Sequence, residues 1–546
     1  MSLAGEETCM RTTERTTART TAPTVSQTLD DREPSGQSER PSRRSFVFFA
    51  AAAAAALVPG AAKAQGRTRR KAIVSGRSPE PSDAFPMVMP NESVGVFAEW
   101  DTSVGRLVRR VAYGITAADV TQANALGYDG YLEQQLNYTR IDDSAVESYV
   151  AQKWPLLAQT SDQLFTADQG TLETQLRAST IYRAAFSQRQ LYQRMVELWS
   201  DHFNQDYDKV GYLLAADQRD VIRKHALGRF PDLLKASAHS ASMMVYLDQV
   251  TSSAAPGHTP NQNYAREIME LHTLSVNGGY TQDDVAELSR VLTGWTIQGR
   301  GNFVFNPAIH DWKAKTVLGV NIPAGSPSLG AAGINEGEQM LNVLAAHPST
   351  ARFIATKMLS WLLTPAPSDD QVSTVASVYR ATGGDIKAMI RVILNESWVS
   401  AAPLKLKRPF HYLASALRSA NPTITAVDPL VNQLNTLGHP IFSWDTPDGF
   451  PDKIEYWAGN IVPRWAFGTT MANFNSTTTL LLDTSPYRAG SQDAAIELID
   501  QNFFGGEMLA STRTALTAYL KAGTFTDARV RETIALAIAS NGFQWY

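Results

Sequence analysis

Amphipathic helical spacing dominates this chain and restricts the folds that are open to it. From about residue 99 onward, apolar side chains recur mostly three or four positions apart, which places them on one face of an α-helix. Segments with the alternating pattern of a strand are scarce, and the best candidate is the short run at 303–305. We therefore predict a mainly α protein, with a single large multi-helix domain and a long irregular insert.

Helical patterns follow one another over most of that domain. The longest covers 173–205, with apolar side chains at Ile181, Tyr182, Ala185, Leu191, Met195 and Leu198. Shorter patterns cover 212–226, 230–239, 261–276, 282–295, 335–346, 348–364, 370–382, 386–394, 406–419, 426–436, 476–483, 491–499, 508–521 and 526–539. The insert, 296–334, is rich in Gly, Asn and Pro, and a loop of that length inside a compact domain usually has a function.

The charge balance and cysteine content exclude several classes of function. The chain has 49 basic and 53 acidic side chains, a formal net charge of −4, so it lacks the basic surface that binds nucleic acid. A hydrophobic content of 44% is enough for a large core. The single cysteine, Cys9, lies in a segment that we expect to be removed, which excludes a disulfide framework or a Cys-ligated metal site.

The N-terminus has the features of an export signal. Arg43 and Arg44 precede a 13-residue apolar run at 46–58, which is too short to span a bilayer because a span needs about 20 residues. The small residues of Ala62-Lys63-Ala64 then match a cleavage site. We therefore predict that residues 1–64 are a twin-arginine signal peptide with an extended n-region.

The rest of the chain should be released in a soluble form. Residues 65–95, which carry several Arg, Pro and Ser residues, are typical of a disordered leader or linker, and the helical domain should cover 96–546. No other window approaches 18 uninterrupted apolar residues, so we expect no membrane anchor. These features predict a protein in the periplasm or outside the cell.

Two predicted helices each carry a pair of charged side chains at a spacing that puts both on one face of the helix. Glu197 and Asp201 are four residues apart within the 173–205 pattern, and therefore adjacent on the helix surface. Glu287 and Arg290 are three residues apart within the 282–295 pattern, where they can form an ion pair.

A third helix carries a longer polar stripe. Asn263, Arg266, Glu267 and Glu270 lie close together at i, i+3, i+4 and i+7, which gives one face with two carboxylates and a guanidinium. Two carboxylates one helical turn apart can act as an acid–base pair or bridge a divalent metal ion. The alternative is a structural ladder of ion pairs, with Arg266 bound to Glu270 and Glu287 bound to Arg290.

Other residues complete this candidate site. His272 and the His310-Asp311 pair of the insert are candidate proton carriers or ligands, beside Glu267 and Glu270 as the catalytic carboxylates. Glu270 and His272 cannot reach one ion from a regular helix, because two residues correspond to about 200° of rotation. The candidate substrate-binding residues are Asn263, Tyr264, Arg266 and Trp295. The cofactor is not identified, and a divalent metal is compatible with these side chains.

Several segments, in order along the chain, closely resemble the bacterial family catalogued as domain of unknown function 1800. They are RKHALGRFPDLL at 223–234, NQNYAREIMELHTLSVNGGYTQDDVAELSRVLTGW at 261–295, HDWKAKTVLG at 310–319, GINEGEQMLNVLAAHPSTARFIATKML at 333–359, KLKRPF at 405–410 and LGHPIFSWDTPDGFPD at 437–452. Gln262 and Lys313 depart from the family pattern, which has an acidic residue and a glycine there. The resemblance implies an exported, mainly helical bacterial protein and supplies no reaction.

The leading hypothesis is an exported hydrolase that acts on a glycan or another polymer through Glu and His chemistry, with or without a metal. Two carboxyl groups suit such a reaction, because one must stay protonated while the other stays ionised. The alternative is a non-catalytic exported scaffold that binds a partner protein. The oligomeric state cannot be predicted from the sequence.

Overall fold

The computed structural model describes residues 100–546, and most of this part of the chain is helical. Its first twelve α-helices are α1 (Ser103–Val111), α2 (Ala117–Leu136), α3 (Ser144–Lys153), α4 (Ser161–Thr166), α5 (Gln169–Phe186), α6 (Gln190–His202), α7 (Tyr207–Val210), α8 (Leu213–Asp217), α9 (Phe230–Ala238), α10 (Ala241–Tyr246), α11 (Asn263–Glu267) and α12 (Gln282–Val291). Helices α8 and α11 continue directly into π-helical turns, Gln218–Arg223 and Ile268–Thr273.

The second half of the domain has the same character. Its α-helices are α13 (Ile334–Ala346), α14 (Pro348–Leu362), α15 (Asp369–Thr382), α16 (Ile386–Ile393), α17 (Glu396–Ala401), α18 (Pro409–Ala420), α19 (Asp428–Thr436), α20 (Ile454–Trp457), α21 (Ile461–Ala472), α22 (Ser485–Arg488), α23 (Gln492–Phe504), α24 (Ala510–Lys521) and α25 (Asp527–Ala539). Short 3₁₀ turns lie at Tyr138–Arg140, Pro155–Ala158, Gln249–Thr251, Pro307–Ile309, Pro327–Gly333, Ala458–Asn460 and Gly542–Gln544. The prediction of a mainly α domain is confirmed.

The insert between α12 and α13 contains two antiparallel hairpins. Strands β1 (Trp295–Gln298) and β2 (Asn302–Phe305) pair with Trp295 opposite Phe305, so the predicted strand at 303–305 is confirmed. Strands β3 (Lys315–Val317) and β4 (Val320–Ile322) form the second hairpin. A third pair joins β5 (Thr423–Ile424) to β6 (Leu480–Leu481).

Three predicted helices differ from the observed ones. The 173–205 pattern is interrupted between α5 and α6, because the buried Asp143 carboxylate accepts hydrogen bonds from the Ser187 hydroxyl at 2.7 Å and the Gln188 N–H at 2.9 Å. The 282–295 pattern ends at residue 291, and Gly294, with φ of 89°, turns the chain into β1. The 476–483 pattern is wrong, because residues 480–481 pair with β5.

The buried apolar side chains form two clusters that share helix α5. Leu172 and Leu176 of α5 belong to the larger cluster, which covers the helices up to α17 together with the hairpins. Ile181 and Ala185, farther along the same helix, belong to the second cluster, which covers α18 to α25. Helix α5 and its successor α6 therefore lie where the two halves of the core meet.

Among the helices within residues 100–546, none has the length and apolar composition to cross a bilayer.

Gly337 provides a test of how the insert packs on the helices. A Cβ atom at this position of α13 would lie 2.2 Å from the indole ring of Trp295, which is fully buried. Gly337→Ala should lower the free energy of unfolding by about 1–3 kcal/mol, because overpacking outweighs the gain in helix propensity. Thermal denaturation measures the change. The matched control is Gly459→Ala, where a Cβ meets nothing within 4 Å and stability should not fall.

Candidate functional site

The polar stripe predicted around residue 267 lies on α11 and the π-helical turn after it. Glu267 is half-buried, and its pKa is raised by burial and by the neighbouring Glu270 carboxylate. Arg266 donates to the side-chain oxygen of Gln282 at 3.0 Å, and Glu270 accepts from the Tyr280 hydroxyl at 3.4 Å. Within residues 100–546, Arg266 forms no ion pair, so the predicted Arg266–Glu270 contact is wrong.

The π-helical turn directs His272 into the core. The wider turn is seen in the hydrogen bond from Leu274 N–H to Met269 O, five residues back, at 2.7 Å. His272 is 1% exposed, its Nε2 atom has no hydrogen-bond partner, and burial and then Lys357 lower its pKa to about 3. Burial therefore favours the neutral form of this imidazole, and the core encloses it. Two predicted substrate contacts, Tyr264 and Trp295, are also core residues, at 1% and 0% exposed.

His310 and Asp311 belong to a separate polar cluster that ties the insert to its flanking helices. Arg290 binds both Glu287 and Asp311 at 2.7 Å, so the predicted Glu287–Arg290 ion pair is confirmed. His310 Nε2 lies 3.3 Å from a Glu336 oxygen that Lys315 also binds, at 2.7 Å.

This cluster and the polar stripe are not joined. No hydrogen bond or ion pair within the described chain links His310 or Asp311 to Glu267 or Glu270. Residues 100–546 also contain no group of three or more His, Cys, Asp or Glu side chains arranged to hold a metal ion. The predicted catalytic residues therefore do not form one hydrogen-bonded group, because Glu267 and Glu270 lie on the stripe, His272 lies in the core, and His310 and Asp311 lie in the insert cluster.

A cavity of about 460 Å³ lies elsewhere, between α3, α5, α6 and the segment at 439–450. None of the nine predicted site residues lines it. Its apolar wall includes Trp154, Val196, Phe410, Ile441, Phe442 and Phe450. Three of the segments that carry the family resemblance, at 223–234, 405–410 and 437–452, contribute to its lining.

One face of α6 forms part of the polar wall of this cavity. Gln193, Glu197, Ser200 and Asp201 all line it, at the three- and four-residue spacing that aligns side chains along a helix. The spacing of Glu197 and Asp201 was visible in the sequence. That a cavity opens beside them could not be read from the sequence, because its other walls come from α3, α5 and the 439–450 segment.

Arg408, at the start of α18, holds the two carboxylates together. Its Nη2 atom lies 2.5 Å from Glu197 and its Nη1 atom lies 2.6 Å from Asp201. The guanidinium is almost fully buried and stacks over the ring of Trp361, with its central carbon 4.5 Å from the ring centre. The Tyr113 hydroxyl adds a hydrogen bond to the second oxygen of Glu197, at 2.8 Å.

The two carboxyl groups do not share the same electrostatic environment. Burial is the largest effect on Asp201 and, together with the nearby Glu197 charge, raises its pKa to about 6 against the opposing pull of Arg408. Glu197 accepts hydrogen bonds from both Tyr113 and Arg408. The raised pKa lets Asp201 hold a proton in mildly acidic solution, one helical turn from the Glu197 carboxyl group.

His439 supplies one further donor to the same cavity. Burial and then Arg408 lower its pKa well below the usual range, so the ring is neutral. Its Nδ1 atom accepts from the Phe410 N–H at 3.3 Å, which leaves the proton on Nε2. A neutral imidazole in this state can donate a hydrogen bond to a bound molecule.

The comparisons with known proteins identify the family and no activity. Residues 106–545 match the family described as protein of unknown function DUF1800, and the chain belongs to that family. No curated protein and no solved structure matches this chain.

Removing the buried cation should destabilise the fold strongly. Arg408→Gln leaves Glu197 and Asp201 buried without their charged partner, and we expect a loss of about 3–5 kcal/mol in the free energy of unfolding near neutral pH. The loss should be smaller at pH 5 than at pH 8, because protonation of Asp201 removes one unpaired charge. Chemical denaturation at both values measures the effect. The control, Arg352→Gln, breaks an exposed ion pair with Asp369 and should change stability by about 0.5 kcal/mol or less.

Proposed function

We propose that this protein is an exported hydrolase that cleaves a glycan or a related polymer in the cavity beside α6. Asp201 serves as the general acid and Glu197 as the carboxylate that acts as base or nucleophile. The observation that carries the proposal is the placement of both carboxyl groups on one cavity wall, with the pKa of Asp201 raised to about 6. Hydrolysis of a glycosidic bond uses two neighbouring carboxyl groups, one of which must hold a proton as the general acid.

The rest of the cavity suits a sugar-like molecule. The rings of Trp154, Phe410 and Phe450 offer apolar surface, while the neutral His439 and the side chains of α6 offer hydrogen-bonding groups. A small-molecule site combines a largely apolar lining with a few convergent polar groups, and this cavity has that composition.

Export through the twin-arginine pathway to the periplasm or the medium is the second part of the proposal. Its support is the order of Arg43-Arg44, the apolar run at 46–58 and the small residues at 62–64. These residues, and the predicted leader at 65–95, lie outside the residues that the structure describes.

A non-catalytic scaffold is the alternative, and one observation favours it. Arg408 occupies both carboxylates, as a purely structural ion-pair network would require. The enzyme and the scaffold differ in the expected effect of replacing a carboxyl group by an amide, because the amide can keep much of the packing while it removes the acid–base chemistry.

Neutral replacements at the two carboxyl groups test the enzyme directly. Glu197→Gln and Asp201→Asn should each lower hydrolysis of a responsive glycan at least about 100-fold, because a positioned acid or base contributes on that scale. Release of reducing ends from a panel of polysaccharides measures activity, and thermal denaturation measures folding. Glu270→Gln, on the polar stripe, is the comparison variant and should retain activity. If only Glu270→Gln loses activity, the reaction takes place at the polar stripe and not in the cavity. If the wild type hydrolyses none of the polymers, the scaffold is favoured.

The pH profile gives a second test. Because Asp201 must be protonated to act as the acid and its pKa is about 6, the rate should fall roughly tenfold per pH unit on the alkaline side of that value. The rate of the wild type from pH 4 to pH 9 measures this limb. A limb of the same shape in Asp201→Asn would show that another group is the acid.

A further inference from the structure

A group of arginines lines the same cavity around a single ion-paired carboxylate. Arg183, Arg189 and Arg223 all contribute to the lining, and all three lower the pKa of Glu147. Only Arg183 forms an ion pair with Glu147, through two hydrogen bonds of 3.0 and 2.7 Å. Arg189 donates instead to the carbonyl of Ile141, at 3.1 and 2.9 Å.

Arg223 has no carboxylate partner within 4.0 Å among the described residues. Its one hydrogen bond to a side chain runs from Nη1 to the Gln193 oxygen at 3.1 Å, and its guanidinium lies 5.3 Å from the ring centre of Tyr192. Burial and then the Arg183 charge lower the pKa of Arg223, so an anion bound there would relieve an unfavourable charge. An arginine guanidinium with several free N–H groups can bind one oxyanion through two parallel hydrogen bonds.

The nearest other carboxylate does not supply the missing charge. Asp143 influences Arg223 electrostatically, but its two oxygens accept from the Ser187 hydroxyl and the Gln188 N–H in the turn between α5 and α6. Arg219, also on the cavity wall, is bound to its neighbour Asp220 at 2.7 Å. Arg223 therefore lines the cavity with donors that no carboxylate among the described residues takes up.

We infer that Arg223 is the anion-binding subsite of this cavity and takes a carboxylate or sulfate ester on the substrate. The substrate class is then an anionic glycan, which rests on the proposed function for the bond that is cleaved. Gln193, which orients Arg223, precedes Glu197 by four residues and Asp201 by eight, or about 6 and 12 Å along α6. An anionic group at Arg223 would thus lie one to two helical turns from the reacting carboxyl groups.

Binding of small sugars tests the subsite without any need for turnover. Isothermal titration of the full chain with D-glucuronate and with D-glucose should show binding of glucuronate at least about tenfold tighter, since a hydrogen-bonded charge pair is worth that much. Arg223→Gln should remove this preference, and Arg223→Lys should retain part of it. Glu147→Gln, which removes the competing anion, should tighten glucuronate binding instead.

The two variants should change the affinity for glucuronate in opposite directions, which distinguishes a binding role of Arg223 from a structural one. If Arg223→Gln fails to fold, tighter binding in Glu147→Gln still supports the subsite. Inorganic sulfate that competes with glucuronate in the wild type supports a sulfate ester as the natural group, and sulfate that does not compete supports a carboxylate. Equal affinity for glucose and glucuronate, absence of glucuronate binding, or unchanged binding in Arg223→Gln overturns the inference. Anion binding without hydrolysis of any polymer would overturn the proposed function alone.

Discussion

The buried guanidinium of Arg408 is the interaction on which the rest of this cavity depends. It binds Asp201 and Glu197, which precede it by 207 and 211 residues, and so fixes α6 against the start of α18. Three buried charges are tolerated there only because each has a partner, since an isolated charge in the core costs several kcal/mol. The 439–450 segment is tied to the same place, because Gly449 lies against the backbone of Asp201, where a Cβ would overlap the carbonyl. The shape of the cavity follows from these contacts.

The charged residues between Glu287 and Glu336 connect the insert to its flanking helices. The ion pairs of Arg290 with Asp311 and of Lys315 with Glu336 attach the insert to α12 and α13, beside the buried Trp295 of β1. Two-stranded hairpins are marginally stable by themselves, so they need such anchoring. A sequence motif rich in charged residues can therefore attach one part of a fold to another. The number of charged residues in a motif does not by itself identify an active site.

Prediction from the sequence succeeded where the cause was local. The helical class, the strand at 303–305 and the pairing of Glu287 with Arg290 all follow from side-chain spacing within a few residues. It failed where a distant residue decided the outcome, as in the break between α5 and α6, which the carboxylate of Asp143 imposes. The burial of Tyr264 and Trp295 was also beyond local reasoning, because an aromatic ring on a helix or strand has the same pattern whether it faces the core or a ligand.

The sequence by itself therefore determined the mainly helical class, the resemblance to the DUF1800 family and the common face of Glu197 and Asp201, since each depends on residues that are neighbours in the chain. Only the tertiary structure decided which polar group borders a cavity. The carboxylates of α6 acquire their surroundings from Arg408, Tyr113 and the aromatic wall at 439–450, which are distant in the chain. Burial and the shift in the pKa of Asp201 arise from that convergence, because both depend on what excludes water from the site and not on the residues beside it in the chain.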